Sequence, residues 1–375
     1  MTRDPIQKSV LFAPFQLRGV EFTNRIAVSP MAQYSARQGA VQPWHLQHLG
    51  SLAVSGPALV CIESTSVERQ GYGSRTCLAL HDDAQESALR ELITQIRTFS
   101  SVPLGIQFGH SGRKGASCDP SEGRRALRVD EGAWALYAPS ALAWSVSWPV
   151  PREMDRSDID RVIEAYGQAA ERAARLDITV IELHSAHGYL LHSFLSPISN
   201  RRTDGYGGSL QGRMRLIMEI TDRVRAAWPQ DRVLGIRLNN HDWIEGGLTI
   251  DDTVETARCF GAHGGDYACI SAGALTDEAR ISAAPSYLVP FASEIRQRAT
   301  ISTFVTGMII DPREAEEIVA RGDADMLSIG RAFLDDPRWV WRAAQMLGAK
   351  ACYPMQYALS QPNVWRGAEI LRPPR

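Results

Sequence analysis

The sequence predicts an α/β protein built as a single closed (β/α)8 barrel of the TIM type. An N-terminal β-hairpin precedes it, and a long loop follows its third strand. Three observations carry this. From Ile26 onward, eight short apolar runs alternate with segments of helical apolar period. No G-x-G-x-x-G follows the first run, as a doubly wound sheet for a dinucleotide would need. The run Ile178-Thr-Val-Ile-Glu-Leu-His184 is β-branched and apolar, so it reads as a strand buried on both faces. It then breaks into His184, His187 and Tyr189, as a barrel strand does where it meets a functional loop.

Residues 10–26 read as the hairpin, turning at Arg18-Gly19. The strands are expected at 26–31, 58–63, 103–108, 178–184, 233–238, 267–271, 301–306 and 325–329. The intervening helices fall near 44–54, 83–99, 155–175, 209–228, 251–262, 285–299, from 311, and at 336–347. Asp155 and Ser209 are their candidate N-caps, and Asp311-Pro312 opens the seventh. Residues 110–154 are rich in Gly, Trp and Pro and lack a period. They are too long for an ordinary connection and read as a lid. No linker divides the chain, so 1–375 reads as one domain with a tail from about 350.

Composition excludes several classes. With 44% hydrophobic residues, the 375-residue chain can bury a sizeable core. A net charge of −2 with scattered arginines makes no case for nucleic acid, and no run is long enough to span a membrane. The N-terminus lacks an apolar leader, so the expected compartment is cytoplasmic. Cys61, Cys77, Cys118, Cys259, Cys269 and Cys352 form no metal-binding spacing and read as free thiols.

Read in order, the strand ends carry Ser29-Pro30-Met31, Ser64, Gln107, His184 with His187 and Tyr189, Arg237, Gly307 and Gly330-Arg331. Glycines with an adjacent Arg after the seventh and eighth strands suit a phosphate. Gln107 offers a donor and an acceptor, as a pyrimidine edge requires. Arg237 would set a fixed charge in the barrel mouth, suited to a reduced flavin ring. Either could instead serve a buried structural network, but with the phosphate site they point to a phosphorylated flavin.

The chain resembles the old yellow enzyme family of FMN-dependent ene-reductases, in particular its bacterial thermophilic-like subclass. The resemblance spans about residues 11–357. It rests on Asn24-Arg-Ile-Ala-Val-Ser-Pro-Met31, Gly109-His-Ser-Gly-Arg-Lys114, Ala138-Pro-Ser-Ala141, Glu182-Leu-His-Ser-Ala-His-Gly-Tyr-Leu190, Ser199-Asn-Arg-Arg-Thr-Asp-Gly-Tyr-Gly-Gly208 and Ser328-Ile-Gly-Arg331. It implies FMN contacts from Ser29, Pro30, Met31, Ala32, Ser64, Gln107, Arg237, Gly330 and Arg331, with Gly307 beside them. It implies that His184 and His187 hold the substrate oxygen, that Tyr189 delivers a proton, and that Tyr34 lines the substrate pocket. NAD(P)H is the implied reductant, activated alkenes the implied substrates, and a homodimer or homotetramer the implied assembly. Two departures stand out. Ala32 replaces the subclass's usual Cys beside the flavin. The C-terminal residue sent into a neighbouring subunit is not in its usual place, which leaves Tyr357 or Trp365 for that role.

Three other readings compete. In a metal-dependent barrel hydrolase or aldolase, His184 and His187 would be ligands, but further His and carboxylate ligands are lacking nearby. A Schiff-base aldolase would use Lys114, which lacks a means of lowering its pKa. A non-catalytic flavin-binding sensor is the remaining alternative.

Overall fold

The computed structural model describes residues 9–123 and 125–371; the last four residues of the predicted tail lie outside the described residues. The eight barrel strands are β1 Ile26–Val28, β2 Leu59–Ser66, β3 Leu104–Gly109, β4 Val180–Ser185, β5 Val233–Asn239, β6 Tyr267–Ser271, β7 Ser302–Val305 and β8 Met326–Ile329. All are parallel and pair in chain order. The sheet closes where Leu327 of β8 meets Ile26 of β1, and Ala27 meets Leu59 of β2. Every residue of β3, β4 and β5 is buried, which is why these strands are mostly apolar and carry their few polar groups, such as Gln107, Glu182 and Arg237, inside the protein.

The helices are α1 Pro43–Ala53, α2 Asp83–Arg97, α3 Arg156–Ala174, α4 Leu210–Ala227, α5 Ile250–Ala262, α6 Val289–Ala299, α7 Pro312–Ala320 and α8 Trp339–Leu347. Side chains cap the amides their first turns leave open. Asp155 accepts from the Asp158 N–H, Ser209 from Gly212 and Asp311 from Arg313. Two starts differ from expectation. α6 begins at Val289 rather than 285, because Ser286 adopts a left-handed backbone (φ 55°) that no helix continues through. α8 begins at Trp339 rather than 336, since Pro337 separates it from a short helix, Arg331–Asp335, that follows β8.

Below the barrel, Phe15–Leu17 and Val20–Phe22 pair as an antiparallel hairpin. Its Phe22 is fully buried against Ala27, Leu59, Val180, Val233, Phe304 and Met326, so the hairpin plugs the N-terminal mouth. That leaves the C-terminal mouth for chemistry. The described residues of 110–154 lie there as three single 3-10 turns and one short strand pairing, Tyr137–Ala138 with Arg152–Glu153. No described helix is long and apolar enough to cross a membrane.

Candidate active site

Glu182 organises the centre of the barrel. It sits on β4 two residues before His184 and therefore faces the same way. Gln107 on β3 donates its amide to Glu182 Oε1 at 2.7 Å, and the Tyr267 hydroxyl on β6 donates to Oε2 at 3.0 Å. The Arg237 guanidinium lies 3.9 Å from the same carboxylate and donates to Ser29 Oγ at 2.9 Å. Tyr267 can cross the barrel only because residue 235 is glycine, where a Cβ would overlap its ring. Four strands are thus joined through one carboxylate buried with its partners, an arrangement that holds when each polar group is satisfied. One group is left over: Arg237 Nε is buried with no hydrogen-bond partner among the described residues.

Beyond His184 the chain turns sharply. His187 (φ 60°) and Gly188 (φ 75°) are both left-handed, and a Cβ on Gly188 would overlap the Ala274 carbonyl. The Asn239 side chain accepts the His187 N–H at 3.2 Å. A short helix, Leu190–Leu195, follows. Its His192 ring accepts the Gly188 N–H at 2.8 Å and donates to Asp242 at 2.8 Å, so the β5 loop braces the turn.

The hydrogen bonds settle which nitrogens carry protons. His184 Nδ1 accepts the Ala186 N–H at 3.3 Å, so its proton is on Nε2. That N–H reaches His187 Nδ1 at 3.1 Å, which leaves the His187 proton on Nε2, 2.7 Å from Ser271 Oγ. Tyr189 meets the His184 ring edge to face, with centroids 4.8 Å apart. Burial, aided by Arg237 and Lys114, holds His184 well below the ordinary imidazole value. Burial, then His184 and those two cations, does the same for His187. Both rings are therefore neutral donors at neutral pH.

This has a consequence for stability. The folded pKa values lie below the ordinary 6.5, so the unfolded chain binds more protons as pH drops. Stability is unaffected above pH 6.5 and falls below it, by up to about 1.4 kcal/mol per pH unit for each ring. Urea unfolding at pH 7 and 5.5 should show a clearly smaller acid loss for His184→Gln/His187→Gln than for wild type. Equal losses would mean the two imidazoles are not the groups responsible.

Two cavities open at the C-terminal mouth, of about 640 and 500 Å³. Ser29, Met31, Arg237, Gly307, Gly330 and Arg331 line the larger one. Ala32, Tyr34, Ser64 and Tyr189 line the smaller, together with Trp144 and Trp148 of the long segment after β3. His187 is on the wall of both. Gln107 and His184 stand behind the walls, the first turned to Glu182 and the second to His187. Pro30 is half-buried and lines neither cavity.

Glu182 and Ser271 are site residues that the strand ends alone do not single out, although each offers a signal in the sequence. Glu182 shares a strand face with His184, and Ser271 is the last residue of β6. Lys114 is no isolated nucleophile: its ammonium is bound to two backbone carbonyls. Among the described residues, no group of three His, Cys, Asp or Glu could hold a metal ion.

Comparison with known proteins agrees with this architecture. Residues 10–349 match the model of the NADH:flavin oxidoreductase / NADH oxidase family. An NADPH dehydrogenase of Geobacillus thermodenitrificans is 38% identical over 93% of this chain and 98% of its own. One from Bacillus subtilis is 37% identical over 92% and 98%. Morphinone reductase superposes with a TM-score of 0.76 at 24% identity, covering 93% of this chain and 92% of its own. An old yellow enzyme homologue from Zymomonas mobilis gives 0.73 at 22% identity over 92% and 94%; at such identities the superpositions speak for the fold alone. The chain belongs to this flavin oxidoreductase family, that of old yellow enzyme. It is an NAD(P)H:flavin oxidoreductase, with FMN as cofactor, acting on small molecules.

Proposed function

We propose that the enzyme reduces activated C=C bonds, as in enones, enals, maleimides and nitroalkenes, in a ping-pong cycle with NAD(P)H. The observation that carries this is His187, a neutral donor on the wall shared by two cavities, with Tyr189 beside it. The larger cavity suits FMN. The orphaned Arg237 Nε answers an electron-rich ring edge, and Gly307, Gly330 and Arg331 answer a phosphate. Ser29 and Met31, which line this cavity, with Pro30 between them, would help hold the cofactor, as would Ala32 and Ser64 from the smaller cavity. Gln107 gives one amide N–H to Glu182, which leaves its carbonyl oxygen and second N–H for the flavin.

When bound, FMN supplies hydride at N5 to the alkene's β-carbon after taking it from NAD(P)H. The protein's residues do the rest. A carbonyl or nitro oxygen would take the His187 N–H now directed at Ser271, and compete for the His184 N–H. The charge developing on that oxygen would then be met by the two imidazole N–H groups as they turn from Ser271 and His187. Tyr189 would deliver a proton to the α-carbon, with Tyr34 and the lid tryptophans shielding the bond from water.

Tyr189→Phe should leave flavin reduction by NAD(P)H within about twofold and slow reoxidation by 2-cyclohexenone by about 100-fold or more. Stopped-flow traces that lose equally in both half-reactions would remove Tyr189 as the acid. Failure of every enone, maleimide and nitroalkene to reoxidise the reduced enzyme would remove the alkene reading itself.

The whole chain, 1–375, reads as one FMN-binding domain with residues 110–154 as its lid. Six free thiols fit a cytoplasmic setting. Assembly as a homodimer or homotetramer is supported by the exposed Met355, Leu359 and Trp365 near the C-terminus. Tyr357 packs on Trp341 and Arg338 of its own chain, so Trp365 is the better candidate to reach a neighbouring site.

A further inference from the structure

Lys114 is one of three lysines in the chain and lines the smaller cavity, on the loop after β3. Its ammonium donates to the His187 carbonyl at 2.7 Å and to the Ala274 carbonyl at 3.0 Å. These residues belong to different loops, after β4 and β6, and both are non-glycine residues in the left-handed region, at φ 60° and 62°. Such conformations persist only where the surroundings over-determine them. The Ala274 carbonyl also accepts the Trp144 indole N–H at 3.2 Å. The same ammonium lies 5.1 Å from the centre of the Tyr189 ring and 4.9 Å from that of Trp144. One cation therefore touches the turn that carries His187 and Tyr189, the loop opposite, and the lid.

We propose that Lys114 is the positioning residue of this site, holding the His187–Tyr189 turn in working geometry through the His187 carbonyl and the Tyr189 ring. Charge-assisted hydrogen bonds are about twice as strong as neutral ones, and an ammonium on an aromatic face adds attraction. The His187 peptide is pinned from both sides, its N–H by Asn239 and its carbonyl by Lys114. Without the ammonium, two left-handed carbonyls would face each other's loops with one donor fewer, and the turn would relax. His187 would then swing off the wall it shares between the cavities.

The proposal rests on the alkene-reductase reading for its chemistry, but its first readout does not. Lys114→Ala should keep FMN and weaken phenol binding, followed by the long-wavelength charge-transfer band, by at least about tenfold. Reoxidation by 2-cyclohexenone should slow by a similar factor. Ethylammonium should restore both, saturably, because it returns N–H donors to the vacated place; tetramethylammonium, a cation without donors, should not. Wild-type phenol affinity in Lys114→Ala overturns the proposal, as does a loss that ethylammonium leaves unchanged. If the alanine variant fails to fold, Lys114→Arg and Lys114→Met decide. Arginine should hold phenol affinity within about threefold and methionine should lose it, and equal behaviour of the two overturns the proposal. If wild type binds phenol but reduces no alkene, the substrate reading fails while the phenol titrations still judge Lys114.

Discussion

Replacing His184 and His187 together by alanine is expected to leave FMN bound and to weaken phenol binding by roughly 100-fold, about 3 kcal/mol for two hydrogen bonds to an ionised oxygen. The His184 ring lines neither cavity and contacts His187 and Tyr189, so its loss should leave cofactor content unchanged. His187 lines both cavities, yet its N–H is directed at Ser271. Enone turnover should fall at least as far as phenol affinity, because the charge on the substrate oxygen grows toward the transition state. Titration of the charge-transfer band on the purified holoenzyme is the direct measurement. A double variant with wild-type phenol affinity would remove the imidazoles as the oxygen anchor.

Arg237→Met should destabilise the protein by about 3–5 kcal/mol, because it leaves the Glu182 carboxylate buried with no countercharge. Glu182 would keep its bonds from Gln107 and Tyr267, which moderates the loss without removing it. In the Arg237→Met background, Glu182→Gln should therefore recover a large part of the stability. In the wild-type background the same change should destabilise, since it leaves the guanidinium unpaired. Urea unfolding of the four proteins makes a double-mutant cycle with a coupling of about 2 kcal/mol or more. Strict additivity would show that the two charges, 3.9 Å apart, do not depend on each other. FMN occupancy of Arg237→Met, read by absorbance, should also drop.

Much of the barrel was legible because its cause is local. Strands such as Val180–Ser185 are buried along their whole length, and their apolar positions are legible, since helices cover one face and the barrel interior the other. Caps such as Asp155 and Ser209 are visible because a helix start leaves amides that only a few side chains can satisfy. The shifted starts of α6 and α8 were harder. A left-handed Ser286 is a backbone choice made by tertiary packing, and Pro337 is compatible with a helix start on either side.

The site divides along the same line. From the order of residues alone came the alternation that closes a barrel and the identity of the groups at its strand ends: Ser29, Ser64, His184, His187, Tyr189, Arg237, Gly307 and Arg331. Those follow from periodicity, which needs no knowledge of neighbours. Only the tertiary structure decided which of them share a cavity, that Gln107 and His184 stand behind its walls, and that both imidazoles are neutral. It also changed Lys114 from a candidate nucleophile into a clamp on two loops. Burial, charge proximity and hydrogen-bond direction are properties of pairs far apart in the chain, such as Lys114 with Ala274 or Glu182 with Tyr267, and they come into being when the barrel closes.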